Sequence, residues 1–352
     1  MRYTYTYTYT YTYTYTYTYT YPIPIPMFRT ELNIPASGLD LNLSSGIVTI
    51  GSCFAEVIGR KLEENKAQVL VNPFGTIFNP LSVGKLLRAS LGGSHPIADN
   101  LVQHNGIWYA YDLHSSLSSP SRDTLLQNIA ERLSLTRNTL QQANLLIITF
   151  GTAVGYRLQS SGEVVANCHR LPACQFSREL LPLSTLLADM KQTLEELWQF
   201  NPALQVLLTV SPVRHIKETI EVNSVSKSIL RLLCHELTAN HKQAHYFPAF
   251  EIMMDDLRDY RFYGRDMVHP TEVAEDYIWD KFVQAYLSED FRDFLKAWEK
   301  MRRAIAHRPF HPESEAHQRF LQNTLHQLHE LSTRYSLNIS EEEKALTQQL
   351  VK

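Results

Sequence analysis

From Gly46 to Phe247 the chain alternates short, largely apolar runs with longer amphipathic stretches. That alternation restricts it to a mostly parallel sheet covered on both faces by helices. Residues 46–50, 67–71, 144–150, 205–210 and 245–247 are predicted strands, because they are rich in Val, Ile, Leu or aromatics and lack the polar alternation of a half-exposed sheet. Residues 53–65, 82–90, 121–142, 183–200, 220–239 and 271–287 carry apolar side chains at three- and four-residue spacing and are predicted helices. Right-handed crossovers then place the strand ends, and any active site, along one edge of the sheet. After Ser288 no strand candidate follows, and charged helical stretches are broken around Arg308-Pro309-Phe310-His311-Pro312. Phe320, Leu321, Leu325, Leu328 and Leu331 make one apolar stripe there, suited to covering the main domain or a second subunit.

Three segments follow. Residues 1–26 hold a Thr-Tyr repeat from Tyr3 to Tyr21 and the run Pro22-Ile23-Pro24-Ile25-Pro26. Both faces of such a strand are alike, so its register is unspecified, and the prolines stop it. We expect this segment to be disordered or a non-native start ahead of Met27. Residues 27–287 form the α/β domain and residues 288–352 a helical extension.

A net charge of -3 over 352 residues gives no reason to expect a nucleic-acid or anionic-membrane partner. Small or neutral substrates fit better, and the oligomeric state is not legible. Cys53, Cys168, Cys174 and Cys234 sit in apolar surroundings and read as reduced, buried thiols. No stretch approaches the roughly 18 continuous apolar residues of a membrane span, so the expectation is a cytoplasmic protein with no membrane span.

Ser52 follows the apolar run Ile47-Val48-Thr49-Ile50 and precedes a helix whose inward face reads Phe54, Val57, Ile58 and Leu62. It therefore stands at a strand-to-helix turn, where the backbone N–H of Ser52 or Cys53 can face an oxyanion. Ser at that position is equally a common helix cap. Cys53 is the rival nucleophile, although beside Phe54 and Ala55 it reads as a small core hydrophobe. Asp266-Met267-Val268-His269-Pro270 lies before the last helix of the α/β domain, with Pro270 suited to the first helical position. His269 as a general base needs an anionic partner against the positive helix end, and Asp266 supplies it from the same loop.

Gly51-Ser52-Cys53-Phe54-Ala55 resembles the motif that names the GSCFA family, itself similar to SGNH or GDSL-type lipases and esterases. The resemblance covers roughly residues 28 to 287. It extends to residues 72–80, 150–153, 167–169, 210–215 and 266–270. It implies a flavodoxin-like three-layer α/β/α sandwich and a serine hydrolase of esterase type. Ser52 is then the nucleophile, Asp266 and His269 complete the triad, and Gly75 offers a backbone N–H to the oxyanion hole. The implied partner is a small-molecule or glycan ester substrate, and no cofactor or metal is implied.

One block departs from the pattern. SGNH-type enzymes carry Gly-x-Asn-Asp at the end of the central strand, where the Asn donates to the oxyanion, and here the residues are Gly151-Thr152-Ala153-Val154. Backbone amides around Gly151 and Thr152, or Asn79, Asn167 or His169, are the expected substitutes, with Asn79 also a turn residue ahead of Pro80. Cys168, His169 and Cys174 have the wrong spacing for a paired-ligand zinc loop. His169 and Arg170 are expected to line the cleft, and Arg214 and His215 to contact substrate. Ala153 supports an alternative to hydrolysis, an acyl- or glycan-binding protein without turnover, and an acetyl or acyl transferase using the same serine is a further alternative.

Overall fold

A computed structural model of the chain describes residues 29–92 and 97–350. The Thr-Tyr repeat and Met27 lie outside the described residues. In chain order the elements are β1 (Ile47–Gly51), α1 (Cys53–Glu64), β2 (Val69–Val71), α2 (Pro80–Ser90), β3 (Leu101–His104), β4 (Ile107–Ala110), α3 (Arg122–Gln142) and β5 (Leu145–Phe150). They continue with β6 (Val154–Leu158), β7 (Val164–Val165), β8 (Phe176–Leu180), α4 (Leu183–Phe200), β9 (Gln205–Val210), α5 (Ile220–Asn240), β10 (Ala244–Phe247) and α6 (Glu272–Tyr286). The last helices are α7 (Glu289–Ala306), α8 (Glu315–Tyr335) and α9 (Ser340–Thr347).

The five strands predicted from apolar runs form one sheet in the order β10-β9-β5-β1-β2, every pair parallel. Counted among themselves they run 2-1-3-4-5, the flavodoxin-like winding, with helices on both faces. Both faces are buried by the two-residue period of a strand. Val48, Ile50, Leu146, Ile148, Val206 and Leu208 point into a core shared with α2, α3, α4 and α5. Ile47, Leu145, Ile147 and Leu207 point the other way, into a core shared with α1 and α6. That second core runs on without a break into the C-terminal helices, taking in Phe291, Phe294, Trp298, Leu321 and Leu328. The apolar stripe of α8 thus covers the main domain, with Leu321 and Leu328 buried while Phe320 stays partly exposed.

Two antiparallel additions were not expected from the sequence. β3 and β4 form a hairpin, and β7-β6-β8 form a small sheet whose core holds Tyr111, Leu158, Val165 and Phe176. β6 begins at Val154, a few residues beyond the carboxyl end of β5.

The chain winds in opposite directions from β1 and from β5, so the carboxyl ends of these neighbours define the switch point, where open α/β sheets leave a crevice. Ser52 ends β1 there, and Gly151 ends β5.

Candidate functional site

Ser52 owes its position to Gly51, whose φ of 139° favours glycine and where a Cβ would fall 2.2 Å from the carbonyl oxygen of Thr149. The chain turns sharply between strand and helix. The N–H of Ser52 still donates to the Thr149 carbonyl (3.0 Å), extending the β1–β5 ladder by one bond. Ser52 then caps α1, its Oγ accepting from the N–H of Phe54 at 3.3 Å, and it is fully buried. The cap geometry and the nucleophile position therefore coincide in one residue. Burial pushes the neighbouring Cys53 thiol above its ordinary range, which holds it protonated and weak as a nucleophile.

Asp266 and His269 lie on the loop before α6 and are paired. The Asp266 Oδ2 is 2.7 Å from His269 Nδ1, while Oδ1 accepts from the backbone N–H groups of Val268 and His269, each at 3.0 Å. The carboxylate is held well below the usual range, chiefly by the His269 hydrogen bond and then by the two amides. With Nδ1 engaged, Nε2 is the nitrogen left to take or give a proton. It has no hydrogen-bond partner among the described residues, none joins it to Ser52 Oγ, and the side chain is 53% exposed. Pro270 stands outside the helix: Thr271 caps α6, accepting from Ala274, and Pro270 bridges to Tyr263 instead.

Arg214 ties this loop to the sheet. Its backbone N–H donates to the carbonyl of Val268 (3.2 Å), and its guanidinium lies 3.8 Å from the ring centroid of Tyr263 and 5.2 Å from that of Tyr260. The side chain expected to touch substrate is occupied in holding the Asp266–His269 loop against the end of β9.

The expected backbone oxyanion donors are spent elsewhere, and the side-chain candidates are tied into local structure. Gly75, at φ 71°, donates to the carbonyl of Asn72, Ser52 to Thr149, and Thr152 to Phe78. The Asn79 amide donates to the carbonyl of Val154, and its Oδ1 caps α2 by accepting from Leu81. An oxyanion drawn to the N–H of Ser52, Gly75 or Thr152 must displace an existing bond, whereas the Asn79 amide keeps a second N–H. Asn167 is a turn residue whose Oδ1 accepts from the N–H of His169. His169 has one ring nitrogen 2.9 Å from Ser115 Oγ and the other 2.8 Å from the Ala110 carbonyl, and its ring stacks on Tyr109. It is buried in the side lobe and presents no free donor to the cleft, while Arg170 is exposed. Cys174 is exposed, contrary to its expected burial, and all four cysteines are unpaired. No group of metal-ligating side chains occurs among the described residues.

Two groups at this edge carry more than their sequence signal suggested. Lys227, on α5, is 2% exposed, and its Nζ donates at 2.7 Å to the carbonyls of both Gly151 and Ser211, cross-tying the ends of β5 and β9. No carboxylate lies in ion-pair range among the described residues, and burial brings the ammonium down to about 7. Charged residues on helices usually face solvent, which hid it. Yet Lys227, Leu230, Cys234 and Leu237 repeat at helical spacing on the buried face, and that spacing was a usable signal.

His215 is the second. Its ring packs edge-on against Phe78 with centroids 5.1 Å apart, and its Nε2 is buried with no hydrogen-bond partner. A cleft of about 240 Å³ opens beside it, lined in part by Phe78, Asn79, Thr152, Tyr156 and Lys217. His215 lines this cleft, and His169 does not.

A doubly wound α/β protein with a serine at the switch point and an Asp–His pair on a loop of the same edge is the class that fold and site define. The chain belongs to the GSCFA family, whose model matches residues 46–282, and the model of the GSCFA domain protein C-terminal domain matches residues 298–352. No curated protein matches the sequence. Among solved structures, a Streptococcus pneumonia protein provisionally described as a platelet activating factor is 11% identical, with 69% of this chain and 84% of that one covered and a TM-score of 0.36. A Clostridium thermocellum family 3 carbohydrate esterase is 12% identical, covering 71% and 96% at a TM-score of 0.31. The acetyl xylan esterase Est2A of Butyrivibrio proteoclasticus is also 12% identical, covering 73% and 66% at a TM-score of 0.32. Among the described residues no helix is long and apolar enough to cross a membrane.

Proposed function

We propose that the protein is a serine esterase in which Ser52 is the nucleophile, His269 the general base and Asp266 its orienter. The Asp266–His269 hydrogen bond of 2.7 Å is the observation that carries this reading. It fixes the ring so that Nε2 is the basic nitrogen, on a loop that Arg214 ties to the sheet edge where Ser52 stands. As the Ser52 Oγ–carbon bond forms, the hydroxyl proton passes to His269 Nε2 and the carbonyl electron pair moves onto oxygen. When that pair returns, the bond to the alcohol breaks and the proton leaves with the alcohol. Water then repeats the sequence on the acyl-enzyme. Before the first step His269 has to come within about 3 Å of Ser52 Oγ, a bond that commonly tightens only around substrate.

Substitution Ser52→Ala is expected to lower hydrolysis of short-chain p-nitrophenyl esters by at least about a thousandfold and to abolish labelling by a fluorophosphonate. Parental rates from the Ser52→Ala protein would remove the assignment. The spent backbone donors of Ser52, Gly75 and Thr152 favour a second reading, an acyl- or glycan-binding protein without turnover. Ligand binding with neither labelling nor hydrolysis would establish it. An added sugar acceptor separates hydrolysis from acyl transfer by product analysis.

A further inference from the structure

We propose that His215 is the side-chain donor to the oxyanion, supplying from the loop after β9 the hydrogen bond that Ala153 cannot supply from the end of β5. The inference rests on the serine-esterase reading and adds a residue to it.

A transition state that places negative charge on the former carbonyl oxygen needs donors already aimed at that oxygen. The Ala153 side chain has none, and its backbone N–H is committed to Ser226 Oγ at 2.7 Å. His169 has both ring nitrogens engaged, while the Asn79 and Asn167 side chains are tied through their oxygens to the N–H groups of Leu81 and His169. Among the described residues at this edge, the His215 Nε2 is a side-chain nitrogen both shielded from solvent and without a partner. An orphaned polar atom of that kind is costly to keep unless a ligand satisfies it.

Its position agrees. A Cβ on residue 151 would fall 3.1 Å from His215 Nε2 and 3.0 Å from Phe78 Cδ1. Gly151 therefore opens the space through which the imidazole edge approaches the end of β5, the strand paired with β1 and Ser52. The ring is held before any ligand arrives, by its edge-on contact with Phe78 and by the bond from its backbone N–H to Asn223 Oδ1 at 2.8 Å. Burial, then the nearby Lys227 and His269, bring the imidazole down to about 3. It is thus neutral around neutral pH. A neutral imidazole with Nε2 protonated is a donor, and at so low a pKa it is a poor base, so the two histidines divide the work. The Nε2–H bonds to the oxyanion and keeps its proton throughout; the travelling proton moves only between Ser52, His269 and the alcohol.

The test compares His215→Ala, His215→Phe and His215→Gln with the parent on p-nitrophenyl acetate, together with the affinity of a trifluoromethyl ketone that forms a tetrahedral adduct on serine. His215→Phe keeps the packing on Phe78 and removes the donor; His215→Gln returns an N–H at similar reach. The Ala and Phe variants are expected to lose about a hundredfold in kcat with KM changed less than about threefold, and to lose ketone affinity in parallel. The Gln variant should regain about tenfold of that loss. The pH at which kcat/KM falls on the acid side should not move. If His215→Ala fails to fold, the Phe and Gln pair decides the matter alone. Phe and Ala variants with kcat within about threefold of the parent, beside an inactive Ser52→Ala protein, would overturn this role for His215 and leave the serine-esterase reading standing. A parent without Ser52-dependent hydrolysis overturns both.

Discussion

A lysine ammonium enclosed by protein and faced only by two carbonyl oxygens and a phenyl ring is an uncompensated charge, and Lys227 is such a group. Burial lowers it from 10.5 to about 7. Between those two values the unfolded chain binds a proton that the folded chain does not, so stability rises with pH across that window and is lowest at and below about 7. The Lys227→Met protein lacks this titration. From pH 7 to pH 9 the unfolding free energy of the parent should gain about 2 kcal/mol relative to Lys227→Met, read by urea denaturation at both values. A gap that stays constant would show that the ammonium is as well solvated folded as unfolded. The same residue marks where reading from sequence stopped. Ser52, Asp266 and His269 were legible because strand-to-helix turns and a short Asp-x-x-His pair are local patterns. The commitments of Gly75, Thr152 and Asn79 were not, since they depend on the loop from Asn72 to Asn79 folding across the ends of β1 and β5.

At the scale of elements, the central strands were legible to within two residues at each end, because burial on both faces leaves a continuous apolar run that nothing else in the chain imitates. The antiparallel additions were not. Their strands are short and half-exposed, and β6 meets β8 across a long connection that has no local signature. The β3–β4 hairpin did carry one: Asn105 and Gly106, at φ 50° and 78°, make the two-residue turn that Asn-Gly favours. Elements also explain why Arg214 belongs to the site without lining the cleft. Its planar cation stacks on Tyr263, and a lysine offers no equivalent surface. Arg214→Ala should lower kcat about tenfold or more, because misplacing a base by a fraction of an ångström is costly, with KM little changed. Its stability cost should stay near 1 kcal/mol, the scale of one cation–π contact. Arg214→Lys should recover little of the lost rate. Steady-state kinetics with thermal unfolding distinguish this from direct substrate binding, which would raise KM with kcat preserved.

Across the whole molecule, two family models divide the sequence at residues that the packing does not divide. Trp298 of α7 donates to the carbonyl of Glu64 at the end of α1 (2.9 Å), and Lys66 pairs with Glu342 of α9 at 2.6 Å. Between these points Phe291, Phe294, Trp298, Met301, Leu321 and Leu328 are buried in the core that also holds Phe54, Ile58, Leu62 and Phe282. Full burial of one such side chain contributes about 1.5–3 kcal/mol. Uncovering the outer faces of α1 and α6 therefore removes an amount comparable with the roughly 5–15 kcal/mol by which a whole domain is stable, and leaves a contiguous apolar patch. The chain cut after Leu287 should consequently aggregate or unfold at far lower denaturant than the full chain. The full chain should unfold in one step, tryptophan fluorescence and far-ultraviolet circular dichroism giving the same midpoint. Two separated midpoints, with a soluble and cooperatively folded fragment ending at Leu287, would mean that the shared core is dispensable to the α/β domain. Coincident midpoints would make residues 288–352 part of the scaffold that holds α1, and with it the turn at Ser52, against the sheet.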